Sequence, residues 1–184
     1  MTQRIFESER LNFRLWKEAD QGPFAKMNAD ADVMLYFPNT LSKVSSDAFI
    51  DRMIEFHKNY GYGLYAVELK ATGEFIGFIG FALPSFEADF MPCIEIGWRL
   101  SKEFWHHGYA TEGALACLTY GFDQLGFNEV VSFTSKINVP SIAVMERIGL
   151  TYVKDFQHPK IEEGHRLRTH VLYKLTKASW RVHL

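Results

Sequence analysis

Cys93-Ile94-Glu95-Ile96-Gly97-Trp98-Arg99-Leu100 places Ile94, Ile96, Trp98 and Leu100 on one face of an extended chain, and Cys93, Glu95, Gly97 and Arg99 on the other. That alternation predicts a strand over 93–100. After a short connection, Trp105-His106-His107-Gly108-Tyr109-Ala110 opens a helix predicted over 108–125. This helix is rich in small and apolar residues (Ala110, Ala114, Leu115, Leu118, Phe122), and Gly126 marks its end. Glu129 to Thr134 reads as the next strand. A strand-helix-strand unit of this kind crosses over right-handed and lays its two strands parallel. At the junction, the first amides of the helix have no internal partner and carry the positive end of the helix dipole. Gly108 there is either an ordinary turn residue or the point at which a phosphate group approaches the backbone.

Downstream, Val139 to Ile148 is a helix with Asn138 as N-cap, Pro140 in its first turn and Gly149 after its last. Residues 150–156 and 167–175 are strands around a polar loop at 157–166, and 176–184 is a tail. Upstream, residues 9–16 alternate as a strand with Leu11, Phe13 and Leu15 on one face, and 19–28 form a short helix. A second helix starts at Ser45-Ser46-Asp47 and carries Phe49, Ile50, Met53, Ile54 and His57 at helical spacing to Gly61. Residues 63–70 and 75–81 form a hairpin around Ala71-Thr72-Gly73-Glu74. The expected fold class is α/β: a mixed, mostly antiparallel seven-stranded sheet with helices on both faces. No linker or repeat divides it, so 1–184 reads as one domain.

Composition narrows the function. The chain has 184 residues, 47% hydrophobic and 15% aromatic, enough for a sizeable core and an apolar cleft. Its formal net charge is -2 and no basic run stands out, which argues against nucleic acid as the main ligand. Cys93 and Cys117 are the only cysteines and have no partner pattern, which suits a reducing cytoplasm. No stretch has the length and apolarity of a membrane span, so a cytoplasmic location without membrane attachment is expected. No metal site is expected, since the neighbours His106 and His107 have no third ligand spaced to join them; they read as exposed loop residues.

The 93–112 region resembles the acetyl-CoA motif of the GNAT acetyltransferases, in which Gln or Arg is followed by two residues, Gly, one residue, and Gly or Ala. The likeness extends over nearly the whole chain. It includes Ser8-Glu9-Arg10-Leu11 with Arg14, Thr72-Gly73 before Phe75-Ile76-Gly77, Asn138-x-x-Ser141 and Arg147-Ile148-Gly149-Leu150. It looks most like the RimJ/RimL branch, which acetylates the N-termini of ribosomal proteins. Trp105 stands where the wider family has Gln or Arg. His106 stands where glycine is frequent, at a point where positive φ is cheap for glycine alone.

The resemblance implies acetyl-CoA as co-substrate and a sheet splayed between its fourth and fifth strands. Backbone groups of Trp98, Arg99 and Leu100 would pair with the pantetheine arm, and His106, His107, Gly108, Tyr109, Ala110 and Thr111 would hold the pyrophosphate. Asn138 would reach the pantetheine as well as cap its helix, and Ser141 would lie near the thioester. Glu95 is the candidate base, burial raising its pKa; the alternative is a partner for a neighbouring arginine or a substrate-orienting group. The helix 139–148 lacks the tyrosine that many relatives use as the acid, and Ser141 is the nearest substitute. Phe37, Phe86, Phe90 and Trp16 either line the acceptor cleft or belong to the core, and His57 and Tyr60 pack or face water.

The implied reaction is transfer of an acetyl group to a primary amine by direct attack on the thioester. A protein N-terminus is the leading acceptor, with Glu87 and Asp89 available to guide a chain end. A small-molecule amine is the alternative, and a non-catalytic acyl-CoA-binding module the second. Relatives occur as monomers and homodimers.

Overall fold

The computed structural model describes residues 4–182. Eight strands form one sheet: β1 (Arg4–Glu7), β2 (Leu11–Arg14), β3 (Leu64–Leu69), β4 (Phe75–Ala82), β5 (Glu95–Leu100), β6 (Glu129–Ser135), β7 (Thr151–Gln157) and β8 (Thr169–Thr176). Their spatial order is β1-β2-β3-β4-β5-β6-β8-β7. All neighbours are antiparallel except β5 and β6, which run parallel and share one register pair, Glu95 with Val131. Beyond that pair the sheet opens into the expected splay.

The helices are α1 (Gln21–Ala29), α2 (Lys43–Tyr60), α3 (Tyr109–Asp123), α4 (Val139–Arg147) and α5 (Lys177–Val182). The first two cover one face through Trp16, Phe24, Met27, Ile50, Ala66 and Phe78. On the other face, α3 and α4 pack over Ile79, Ile96, Leu100, Val130 and Leu175. Helix α3 sits close to the sheet because Gly113 and Gly121 have no side chain: a Cβ at 113 would lie 2.3 Å from Ile79 Cδ1, and one at 121 would lie 2.7 Å from Phe81 Cζ. None of the helices is long and apolar enough to cross a membrane.

Two elements differ from the sequence expectation. The sheet has an eighth strand, β1, ahead of the first strand expected at 9–16. Only four residues long, it is held by Phe6, which stacks on Phe13 and Tyr120 at 4.4 Å. The segment expected as a tail includes α5, anchored by the buried Trp180 against Phe122. Neither element is long enough to show a period of its own. The second helix also starts two residues early, because Ser42 caps it by accepting from the Ser45 amide.

Candidate active site

Strand β5 determines the site's layout. Ser101 N–H donates to Ile76 O across β4, whereas Ile94 O accepts from Val131 N–H across β6. Backbone groups alternate sides along a strand. The even residues of β5 therefore direct their amides and carbonyls toward β6, and the odd residues toward β4. Past Ile96, whose carbonyl accepts from Ser132 Oγ at 2.9 Å, β6 has moved away, leaving Trp98 and the Leu100 amide facing an open gap. The Leu100 carbonyl accepts from Trp105 Nε1 at 2.9 Å. Arg99 departs from the sequence expectation. Its backbone is directed to Phe78 on β4, so it cannot pair with a group in the gap.

The turn before α3 is built on two left-handed residues. Gly108, the N-cap, has φ 80°, and His106 has φ 62°. His106 thus keeps a conformation that glycine adopts freely, at a cost of about 1–2 kcal/mol for a residue with a Cβ. Trp105 anchors the turn by packing between the two cores, which gives the residue in place of Gln or Arg a structural job. His107 Nδ1 lies 2.6 Å from the Trp105 carbonyl, and its ring stacks on Tyr109. No side chain caps the helix. The amides of Tyr109, Ala110 and Thr111 consequently face outward without an internal acceptor.

This turn borders an open cleft of about 860 Å³ lined by Arg10, His106, Gly108, Thr111, Leu115 and Arg147. Arg10 is fixed there by Glu112, which accepts from its amide and its Nε. Burial alone would raise the Glu112 carboxyl, but bonds from Ser8 and Arg10 hold it below the usual range. Free amides, two arginines and an adjoining gap of unpaired strand backbone fit an extended ligand with a phosphorylated end and an amide-bearing arm.

On the other face of β5, Glu95, Gly97 and Arg99 project toward α1 and α2. A Cβ on Gly97 would lie 3.9 Å from Glu95 Oε1, so the carboxylate overhangs the bare Gly97. No side chain or backbone donor among the described residues bonds to it. Loss of water around it pushes its pKa up to about 8. That position rules out the Arg-partner alternative, since no arginine among the described residues pairs with it.

Asn138 is buried and doubly engaged: Oδ1 accepts from Ser141 N–H at 3.3 Å, and Nδ2 donates to Thr134 Oγ1 at 2.8 Å. Its cap role is in place, and each of its polar atoms makes one bond within the protein, leaving a second N–H on Nδ2. Ser141 is half-buried on the first turn of α4.

The aromatics separate into two sets. Trp16 belongs to the core, its Nε1 donating to Leu64 O. Phe37 is exposed and covers Arg99 at 4.2 Å. Phe86 and Phe90 join Phe133, Phe156, His158 and His170 in a cluster beside β6. Burial, followed by the nearby His158, lowers His170 to about 4. Of the two acidic groups expected to guide a chain end, Asp89 is bound by Lys154. His57 packs its ring against Tyr65, and Tyr60 is exposed.

The sequence did not reveal three features: the His170 cluster, the Arg10–Glu112 clamp and the partners of the Arg99 side chain, Asn28 and three phenyl rings. All three depend on residues far apart in sequence, although the alternation along 93–100 does place Arg99 on the Glu95 face.

Comparisons with known proteins agree with this architecture. The family model described as Acetyltransferase (GNAT) domain matches residues 10–151. The chain is 33% identical over 148 residues to the Bacillus subtilis protein YkkB, covering 80% of this chain and 85% of that one. It is 40% identical over 123 residues to an Aspergillus fumigatus protein named FsC-acetyl coenzyme A-N(2)-transacetylase, covering 60% of this chain and 49% of that one. A solved GNAT-family acetyltransferase from Bacillus anthracis superposes with a TM-score of 0.77 at 26% identity, covering 94% of this chain and 98% of the other.

Proposed function

The chain belongs to the GNAT acetyltransferase family and is an acetyl-coenzyme A-dependent acyltransferase, and we propose that it acetylates the primary amine of a small molecule. The observation that carries the choice of acceptor is a pair of ties between the loops on the acceptor side. Arg166 Nη2, on the β7–β8 loop, donates to the Leu35 carbonyl, on the α1–α2 loop, at 2.6 Å. Lys160 Nζ ties the same β7–β8 loop to Ser85 at 3.1 Å. Loops joined in this way would narrow the acceptor side, and a protein chain end needs an open groove. The name of the Aspergillus relative, which specifies an N(2) nitrogen, supports the same reading. The likeness to the RimJ/RimL branch makes a protein N-terminus the competing acceptor.

When bound, acetyl-CoA supplies a thioester whose carbonyl carbon an amine attacks. His106 to Thr111 would hold its pyrophosphate with backbone amides, Arg10 and Arg147 would face its phosphates, and Trp98 would pair with its arm. Asn138 would maintain the first turn of α4, with Ser141 beside the sulfur. The Trp98 amide, directed into the gap, is positioned to donate to negative charge developing on the carbonyl oxygen.

An ammonium substrate must lose a proton before it attacks. Glu95 would take that proton, directly or through one water. A carboxyl with pKa about 8 is a stronger base than an exposed glutamate and is substantially ionised at mildly alkaline pH.

The test is thiol release from acetyl-CoA across a panel of small amines and N-terminal peptides. Small amines are expected to give the higher kcat/KM. Faster turnover of peptides would reverse the acceptor assignment, and binding of acetyl-CoA without thiol release from any acceptor would leave only a binding module.

A further inference from the structure

Two arginines in this protein reach the α1–α2 side of the sheet, one from β2 and one from β5, and their surroundings differ. Arg14, on β2, is 2% exposed and is served by two carboxylates: both oxygens of Asp20, at 2.8 Å, and Glu68 Oε2, at 2.6 Å. Its positive charge is matched where it lies. Arg99, on β5, has no carboxylate within ion-pairing distance among the described residues.

The guanidinium of Arg99 makes one hydrogen bond, from Nη1 to Asn28 Oδ1 at 2.7 Å. Nε is buried and has no partner. A guanidinium has five N–H donors, so most of this group's capacity is unused. Three phenyl rings surround it, with centroids 4.2 Å (Phe37), 5.3 Å (Phe78) and 6.0 Å (Phe49) from Cζ. Rings stabilise a cation but do not accept its in-plane hydrogen bonds.

The surroundings of Arg99 are rigid. Asn28 and Ser46 are both 0% exposed, and Asn28 Nδ2 donates to Ser46 Oγ at 3.1 Å, which fixes Oδ1 toward the arginine. A relay from α2 through α1 therefore orients the cation. Removing a charge from water without an opposite charge is costly, and a protein that only needed to join α1 to β5 would do so with a neutral side chain. Loss of water has pulled this arginine down to about 10, which still leaves it charged at neutral pH. Its exposed cover, Phe37, lies on the α1–α2 loop, two residues from Leu35, whose carbonyl accepts from Arg166.

Resting on the acceptor reading above, we infer that Arg99 is the anchor for a carboxylate on the acceptor, so that the substrate class is a small primary amine that also carries a carboxylate. Glu95 and Arg99 share one face of β5 and are separated by bare Gly97. At roughly 3.3 Å of rise per residue their Cα atoms stand about 13 Å apart, a span that an amino acid and its two contacting side chains fill. The planar fork of the guanidinium suits two parallel bonds to a carboxylate, which also supplies the missing counter-charge.

The experiment measures kcat/KM by thiol release for amine pairs that differ only in a carboxylate: α- and ω-amino acids, each against its own carboxamide. At least one amino acid should exceed its amide by roughly 30-fold or more, the loss expected when a buried charge pair lacks one partner. In Arg99→Gln that ratio should fall toward one, chiefly through KM, while the Kd for acetyl-CoA changes less than about twofold. Arg99→Lys keeps the charge without the fork; it should lose about tenfold of the preference, and it serves if Arg99→Gln does not fold by thermal melting. Equal use of acids and amides overturns this inference and leaves the acetyltransferase reading standing, as does a preference that survives in both variants. No thiol release from any acceptor overturns both.

Discussion

At the scale of single residues, the site's least comfortable position is His106. Its φ of 62° matches the glycine that the family motif favours there, and no side-chain hydrogen bond of its own offsets the strain. In the proposed reading the turn before α3 would hold phosphate through its backbone shape rather than through the imidazole. His106→Gly should raise stability by up to about 1 kcal/mol, relief of strain being partly offset by the freedom glycine gains in the unfolded chain. That corresponds to a rise in Tm of up to roughly 2–4 °C for a chain of this size. Calorimetry should find the acetyl-CoA Kd within about threefold of the parent. A large loss of affinity would instead assign the imidazole a direct role. This position was legible in the sequence because the conflict between residue type and required φ is local. Arg99 was misread because backbone direction along β5 depends on which strand lies on each side, and that is settled only when β4 and β6 have both paired.

At the scale of elements, the sheet's opening and helix α3 do most of the positioning. The strand-helix-strand unit from β5 to β6 could be read from periodicity, because both strands alternate and the helix is long. Strand β1 and helix α5 could not, since each is short and packs through one aromatic, Phe6 or Trp180, against a partner more than fifty residues away. Helix α3 carries the phosphate turn at its start and lies on β4 through Gly113 and Gly121, one near each end. Gly113→Val and Gly121→Val should each destabilise by about 1–3 kcal/mol through overpacking, read as a lowered Tm. Only the first lies beside the turn, so only Gly113→Val should weaken acetyl-CoA, by roughly tenfold in Kd. Equal effects of both on Kd would mean that the helix transmits strain along its length.

At the scale of the whole molecule, the two faces of the sheet divide the work. The α3–α4 face has the open cleft with its free amides and arginines, and the other face has Glu95 and Arg99, the latter ringed by Phe37, Phe49 and Phe78. In the proposed mechanism the splay after the Glu95–Val131 pair would join the two sides, bringing a carbonyl held in the gap within reach of a base on the opposite face. This division explains why the donor was readable from sequence and the acceptor was not. The turn and strand proposed for the donor are contiguous in sequence, whereas the loops proposed for the acceptor come together only through contacts of Arg166, Lys160 and Lys154. The central claim is that Glu95 removes the proton from the attacking amine, and the pH dependence of thiol release tests it most directly. The carboxyl is protonated and inactive as a base below about 8, so kcat/KM should rise with pH and bend near that value in the parent enzyme. Glu95→Gln should lie roughly a hundredfold lower and lack the bend. A Glu95→Gln profile that overlays the parent across the whole range would contradict the account.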